Sequence, residues 1–257
     1  MPWPLPEAPE DRLALAKGYP FAAPSGCFLF DAGEIRPIDD VDFGARRPVL
    51  AHGSNRAPAQ LARKFGRSTG EDRRVPVTRA WLSDYDVVYA AHITRYGAVS
   101  STLQHAPGCE AALAVTWLTE GQLRRMHETE GAGGYAYGRL TAVAVRLESG
   151  PSGQLDAVEL YLGRHGCLAV EGAAVGLAAV PSRNRRHRAL HQEEVQTWLR
   201  DRHRPDQHLD EMILRHVDDP EARRRLAARL RAEAIASATP HFAEVDRGLA
   251  GSGPKAP

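Results

Sequence analysis

Arg47-Pro48-Val49-Leu50-Ala51-His52-Gly53-Ser54-Asn55 is the stretch on which the reading of this chain turns. Its first five residues read as a short strand entering the core, and Gly53-Ser54-Asn55 is turn chemistry. Pro58 suits the first turn of a helix that carries Leu61, Ala62 and Phe65 on one side. The pattern is strand, small polar loop, helix. Such a loop presents backbone N–H groups at a helix N-terminus and favours an anion, for instance a carboxylate. Gly-Ser-Asn by itself is common in tight turns, so the loop gains meaning only from a partner elsewhere in the chain.

That partner is Glu128-Thr129-Glu130-Gly131. Upstream, Thr119-Glu120-Gly121-Gln122 has the Thr-x-x-Gln form of a capping box, which starts a helix just after Thr119. Gly131 suits a left-handed stop. At about 100° per residue, Leu123, Met126, His127 and Glu130 share one face, while Glu128 points to the opposite side. A carboxylate on the core-facing side of a helix end is costly to ionise, and burial raises its pKa toward the range useful for proton transfer. The structural alternative is that Glu130 caps a neighbouring strand or pairs with an Arg.

Between and after these two stretches the order is specific. Tyr96-Gly97 and Ser101-Thr102-Leu103 follow the first helix. Pro107-Gly108 then leads into the strand Ala112-Leu113-Ala114-Val115-Thr116-Trp117-Leu118. Tyr135 and Tyr137 open another strand after the Glu130 helix. This order resembles the γ-glutamylcyclotransferase-like superfamily, whose members open with a Tyr-Gly-Ser-Asn loop. They carry the catalytic Glu at a helix end in an acidic-residue-x-x-Glu-Gly motif, followed closely by a Tyr. The resemblance covers roughly residues 48–182. His52 stands where the family usually has Tyr, and His127 where it often has Asp.

The resemblance implies a small-molecule γ-glutamyl substrate and an internal reaction, in which the substrate's own α-amine attacks its γ-carbonyl and closes a five-membered ring. The products are 5-oxoproline and a free amine or amino acid, and no protein nucleophile is required. Glu130 is then the general acid/base. The backbone N–H groups of Gly53, Ser54 and Asn55 stabilise the oxyanion and hold the folded substrate, with positioning supplying most of the rate. The Asn55 side chain is placed to bind the α-carboxylate or the γ-carbonyl. Tyr135 or Tyr137 brings a phenol to the glutamyl group, or either is an ordinary strand aromatic. His52 replaces the usual Tyr hydroxyl as a donor, adds a titrating group near Glu130, or is a core histidine bonded to a carbonyl. His127 perturbs Glu130 or faces solvent at an edge.

The remaining pattern supports an α+β fold. It reads as a mixed, barrel-like sheet with packed helices and a helical C-terminal extension. Residues 85–91, 140–147 and 155–162 read as strands, the last with Val158, Leu160 and Leu162 on one side. Residues 168–180 read as a hairpin turning at Glu171-Gly172. Residues 1–46 form a Pro-rich arm with a short helix over 11–17 and one apolar segment, Gly26-Cys27-Phe28-Leu29-Phe30. Trp3 and Phe28 are the residues suited to dock it. The family-like domain spans 47–182 and the helical extension 183–257, with a tail that frays from residue 236.

Composition narrows the function classes. The 257 residues carry a net charge of +1, 43% hydrophobic and 25% charged residues, so no global field draws the chain to nucleic acid or to a membrane. The basic run Arg183-Asn184-Arg185-Arg186-His187-Arg188 is a solvated face or a phosphate-binding patch, and it lacks interleaved aromatics for base stacking. Cys27, Cys109 and Cys167 are widely spaced and odd in number, which points away from a disulfide framework and fits a reducing cytoplasm. Cys167, beside His165, reads as a buried structural thiol. The histidines lack metal-ligand spacing, so neither metal nor cofactor is expected. No apolar run reaches the roughly 20 residues of a membrane helix, and the N-terminus lacks the pattern of a secretory signal. The helical extension offers a surface for a homodimer. Two other functions compete with an enzyme: a pocket that binds a carboxylated small molecule without turnover, and an interaction protein working through the basic C-terminal helices.

Overall fold

The computed structural model describes residues 3–39, 41–130 and 134–246. Its first half runs α1 (Pro9–Lys17), β1 (Phe28–Asp31), β2 (Glu34–Arg36), β3 (Arg47–Ala51) and α2 (Pro58–Phe65). There follow β4 (Arg74–Ile93), β5 (Val99–Leu118), α3 (Glu120–Glu130), β6 (Tyr135–Leu147) and β7 (Gln154–Gly163). Short paired segments lead to α4 (Gln192–His203), α5 (Leu209–Asp218) and α6 (Pro220–Ala232), and a last strand covers Phe242–Glu244.

Five strands close on themselves. β3 pairs antiparallel with β5 and parallel with β7; β7 pairs with β6, β6 with β4, and β4 with β5. Closure gives each of these strands a neighbour on both sides over part of its length, which reduces the unpaired N–H and C=O groups a sheet edge exposes. The expected mixed, barrel-like α+β architecture is therefore present.

Alternation along the strands separates two apolar layers. Leu50, Leu82, Val158 and Leu160 belong to one cluster, which extends to α4 and α6 through Val195, Leu199, Leu226 and Leu230. Val49, Ala114, Leu118, Tyr137 and Tyr161 face the other way and pack with Leu61 and Phe65 of α2 and with Leu123 and Met126 of α3. Adjacent residues such as Val49 and Leu50 thus serve different layers, as the period-2 pleat requires.

The sheet departs from the sequence reading in its strand lengths and in its pairing. β4 and β5 are 20 residues each, far longer than the expected strands over 85–91 and 112–118. Asp84 adopts φ 63°, and the register shifts between Ser83 and Tyr85. This bulge lets the strands bend past Pro107-Gly108 and continue, where the sequence reads a break. Glu171 and Gly172 make the expected tight turn, but only between Ala169–Val170 and Ala173–Ala174. Gly176–Leu177 leaves that hairpin to pair with Val88 of β4 and with Ala189–Leu190.

At the N-terminus, β1 pairs with residues 74–77 of β4 and so joins the main sheet. At the C-terminus the expected fraying does not occur up to residue 246. Ile235 bridges Cys167, and Phe242–Glu244 pairs with residues 138–140 of β6. The Gly- and Pro-rich residues 247–257 lie outside the described residues, as does Gly131 with its expected helix stop.

The β4–β5 turn is where the C-terminal helices attach. Gly97 has φ +85°, and a Cβ there would lie 3.1–3.3 Å from Val217, Ile213 and Ala16, so α1 and α5 pack directly on a bare turn. Gln196 of α4 donates to the carbonyls of Gly97 and Ala16 at 3.0 and 3.2 Å. No helix among the described residues is long and apolar enough to cross a membrane.

Candidate active site

The capping box forms as the sequence implies. Thr119 Oγ1 accepts from the Gln122 N–H at 3.1 Å, and Gln122 Oε1 accepts from the Thr119 N–H at 2.9 Å. The Gln122 amide also donates to the carbonyls of Asp72 and Arg74, which anchors the start of α3 to the start of β4. From that fixed start the helical period buries Leu123, Met126 and His127 and turns Glu130 inward. Glu128 lies outside, paired with Arg125 at 2.9 Å.

Glu130 ends α3 against the loop after β3. Asn55 Nδ2 donates to Glu130 Oε1 at 3.1 Å, and Lys64 Nζ donates to the same oxygen. Among the described residues Oε2 accepts no hydrogen bond. The pair is deeply placed, with side-chain exposures of 1% for Lys64 and 16% for Glu130. Lys64 Nζ also lies 3.0 Å from Met126 Sδ.

The burial expected to raise the Glu130 pKa is present, but it does not prevail. The Lys64 charge, its hydrogen bond and the Asn55 hydrogen bond together hold the carboxyl below its ordinary value. Burial in turn lowers Lys64, against the pull of Glu130. Lys64 was missed by the sequence reading. Its signal is a lysine on the same helical face as Leu61 and Phe65, where a cation is unwelcome unless paired.

His52 is 5% exposed and bonded at both ring nitrogens. Nε2 lies 2.8 Å from the Tyr161 carbonyl, which only accepts, so Nε2 carries the hydrogen. Nδ1 is then an acceptor and takes the Ser101 hydroxyl hydrogen at 3.1 Å. Tyr19 completes the chain: its oxygen accepts from the Ser101 N–H at 3.0 Å, and its O–H donates to Ser101 Oγ at 2.6 Å. Burial lowers the His52 pKa, consistent with a neutral ring. His52 thus matches the carbonyl-bonded core alternative, with both nitrogens already committed.

Tyr19 was also missed, because it lies in the N-terminal arm, far from the motif. Burial pushes its pKa up to about 12. Its hydroxyl explains Gly53: a Cβ there would lie 2.4 Å from Tyr19 Oη and 2.9 Å from Ser101 Oγ. Pairing of β3 with β5 ends at Ala51, so the N–H groups of Gly53, Ser54 and Asn55 lie beyond the barrel ladder.

These groups open on a cavity of about 670 Å³. His52, Gly53, Ser54, Asn55, Glu130 and Tyr135 all line it, together with Lys64 and Tyr161. Tyr137 is not in its wall. The Tyr137 hydroxyl donates to Glu159, and its ring lies 4.5 Å from His127 and 5.0 Å from Tyr161 in the outer apolar layer. The structure therefore separates two tyrosines that the sequence left equivalent. His127 does not face an open edge: it is buried, and its Nδ1 lies 2.7 Å from the Tyr161 hydroxyl. Asn55 Oδ1 is buried and has no hydrogen-bond partner among the described residues.

The other candidates resolve structurally. Arg185 and His187 of the basic run fold onto Asp86, so they are neither a solvated face nor a phosphate patch. The Cys167 thiol lies 3.3 Å from Gln104 Oε1, and burial raises its pKa. Among the described residues no group of three or more His, Cys, Asp or Glu side chains is arranged to hold a metal ion.

No protein-family model matches this chain, and no curated protein matches it. Solved structures do. One is a gamma-glutamyl cyclotransferase. It is 15% identical, with a TM-score of 0.36, over 65% of this chain and 85% of that one. An uncharacterized protein from Homo sapiens matches at 16% identity and TM-score 0.36, over 65% and 86% of the two chains. A protein from Arabidopsis thaliana matches at 19% and 0.33, over 49% and 72%. These are remote likenesses and assign neither a reaction nor a residue to this chain.

Proposed function

We propose that the cavity cyclises a small γ-glutamyl amide to 5-oxoproline with release of an amine or amino acid. One observation carries the reading. Among the described residues, a carboxylate held ionised presents an unbonded oxygen, Glu130 Oε2, in the same cavity wall as an unpartnered buried acceptor, Asn55 Oδ1. Two acceptors without donors call for a ligand that brings donors, and an ammonium group supplies them.

In this reading the substrate α-ammonium lies between Asn55 Oδ1 and Glu130 Oε2, and its carboxylate meets the N–H groups after β3. Glu130 takes one proton, and the amine attacks the γ-carbonyl carbon. The oxyanion forms against the loop donors, and the leaving nitrogen departs as the carbon–nitrogen bond breaks. The two protons lost by the ammonium nitrogen on becoming a lactam N–H are the two gained by the leaving nitrogen on becoming an ammonium ion. Glu130 relays them, and proton transfer of this kind is worth about 10²–10⁴ in rate. Tyr135, in the cavity wall, is the phenol that contacts the glutamyl group.

The test is 5-oxoproline release from a panel of γ-glutamyl amino acids and amines. The parent releases it; Glu130→Gln, still folded, loses about 10²–10⁴ of the rate. Equal release by the variant sinks the assignment. The Lys64 ion pair favours a second reading, a pocket that binds such a ligand without turnover, because a carboxylate held below its usual pKa is a weaker base. Binding of panel members without release by the parent selects it.

A further inference from the structure

The cavity continues past Glu130 to a wall of different character. Arg223, Arg224 and Arg231 of α6 line it, with Arg95 from the β4–β5 turn and the imidazoles of His92 and His165. The carboxylates in the lining, Glu128 and Glu130, are already paired with Arg125 and Lys64. Arg224 is answered by Glu221 at 2.6 Å. Arg95, Arg223 and Arg231 have no carboxylate within ion-pair distance among the described residues.

Arg95 gives one nitrogen to the Trp3 carbonyl and stacks 4.5 Å over the Trp3 ring. Arg223 gives Nη1 to the carbonyls of His216 and Val217 at 2.6 and 3.3 Å, which pins the guanidinium against the end of α5. Its Nε and Nη2 are left without partners among the described residues. The Arg231 guanidinium has no hydrogen-bond partner among the described residues. Beside them His92 and His165 stack at 5.7 Å, with His92 Nδ1 3.1 Å from Ser100 Oγ. Burial, with the nearby His165 and Arg231, pushes His92 down to about 4, so the imidazole there is neutral near neutral pH.

One carboxylate is satisfied by one guanidinium fork. Three unanswered guanidiniums along one wall of a cavity, where field lines concentrate, match a group of higher charge. We propose that this wall is a subsite for a dianion, a phosphate monoester or a pair of carboxylates, borne on the amine portion of the ligand. The assignment rests on the γ-glutamyl reading for the other end of the cavity. It also accounts for the C-terminal helices, because α6 then selects what leaves.

Three probes test it on the full chain by calorimetry, with 5-oxoproline release measured alongside. They are γ-glutamylglycinamide, γ-glutamylaspartate and γ-glutamylphosphoethanolamine. At least one dianionic probe binds about 10- to 100-fold tighter than the neutral one, as charge-assisted hydrogen bonds imply. Which of the two it is names the dianion. Arg231→Gln, at an exposed position that leaves the fold intact, reduces the preference several-fold, and Arg223→Gln with Arg231→Gln removes it. Equal binding of all three probes, binding of none, or a preference unchanged in the double variant overturns the subsite. A charge preference without release keeps the subsite and removes the cyclisation, whereas release without preference does the reverse.

Discussion

Asp86 and Glu130, two inward-facing carboxylates of this molecule, each hold a polar centre, and the two are built oppositely. Asp86 of β4 is fully buried, and both its oxygens are filled. Oδ1 accepts from the Val87 N–H at 2.8 Å, Ser182 at 3.0 Å and Arg185, while Oδ2 accepts from Arg185 at 3.0 Å and His187 at 3.0 Å. Among the described residues, Glu130 has one filled oxygen, one unbonded oxygen and an unpartnered Asn55 carbonyl beside it. A carboxylate with every lone pair occupied by protein has nothing left for a ligand, and its value is in fastening chain to chain. Here it ties residues 182–187 to β4. A carboxylate with one oxygen left over in a cavity wall has given up part of that stabilisation and kept a place for a proton.

The largest effect expected from this contrast is on stability at Asp86. Asp86→Ala strands the Arg185 guanidinium in a nearly buried position, and breaking a buried pair from one side costs about 3–5 kcal/mol. Denaturant unfolding reads the loss, and 5-oxoproline release per folded molecule stays at the parent value. A variant that is as stable as the parent but inactive would invert the two roles.

Lys64→Met removes the cation from the other centre and costs less, about 1–3 kcal/mol for one lost partner, since Glu130 can neutralise itself by taking a proton. The pH behaviour follows from the signs. In the parent the Glu130 pKa is depressed, so the pair's contribution to stability is present above the unfolded-state value and is lost as pH falls through the folded value. Without Lys64, burial is the dominant influence and raises the carboxyl instead. The acid limb of kcat/KM therefore moves to higher pH in Lys64→Met. An unmoved limb means that Glu130 is not the titrating base.

The barrel-like sheet and most of the residues that line the cavity were legible in the sequence because their signals are local. A capping box fixes where α3 begins, and the helical period then sends Glu130 inward and Glu128 outward without reference to anything distant. The missed side-chain partners are all long-range. Tyr19 reaches Ser101 from 82 residues away, and Lys64 reaches Glu130 from 66. Arg185 reaches Asp86 from 99 residues away, which turned an apparent surface charge run into a buried clasp. The length of β4 was hidden for a local reason, since Asp84 reads as a strand end when it marks a bulge. Tyr135 and Tyr137 have the same alternation phase, so only the placement of His127 and Glu159 tells them apart.

The smallest effect expected is the most selective. Gly53→Ala places a methyl 2.4 Å from Tyr19 Oη, and that hydroxyl cannot retreat while it holds Ser101 through two hydrogen bonds. The loop must move instead, and the cavity gives it room. The overpacking cost therefore stays near the low end, about 1 kcal/mol. Displaced N–H donors weaken the grip on ligand, so KM rises while the unfolding midpoint shifts little. Gly176→Ala is the matching change beside Asp86, where a Cβ lies 3.1 Å from Arg185 Nε. There the same methyl presses on the clasp, and its effect appears in stability with KM unchanged. If both alanines act on stability alone, the loop after β3 positions no ligand, and Glu130 is a structural carboxylate like Asp86.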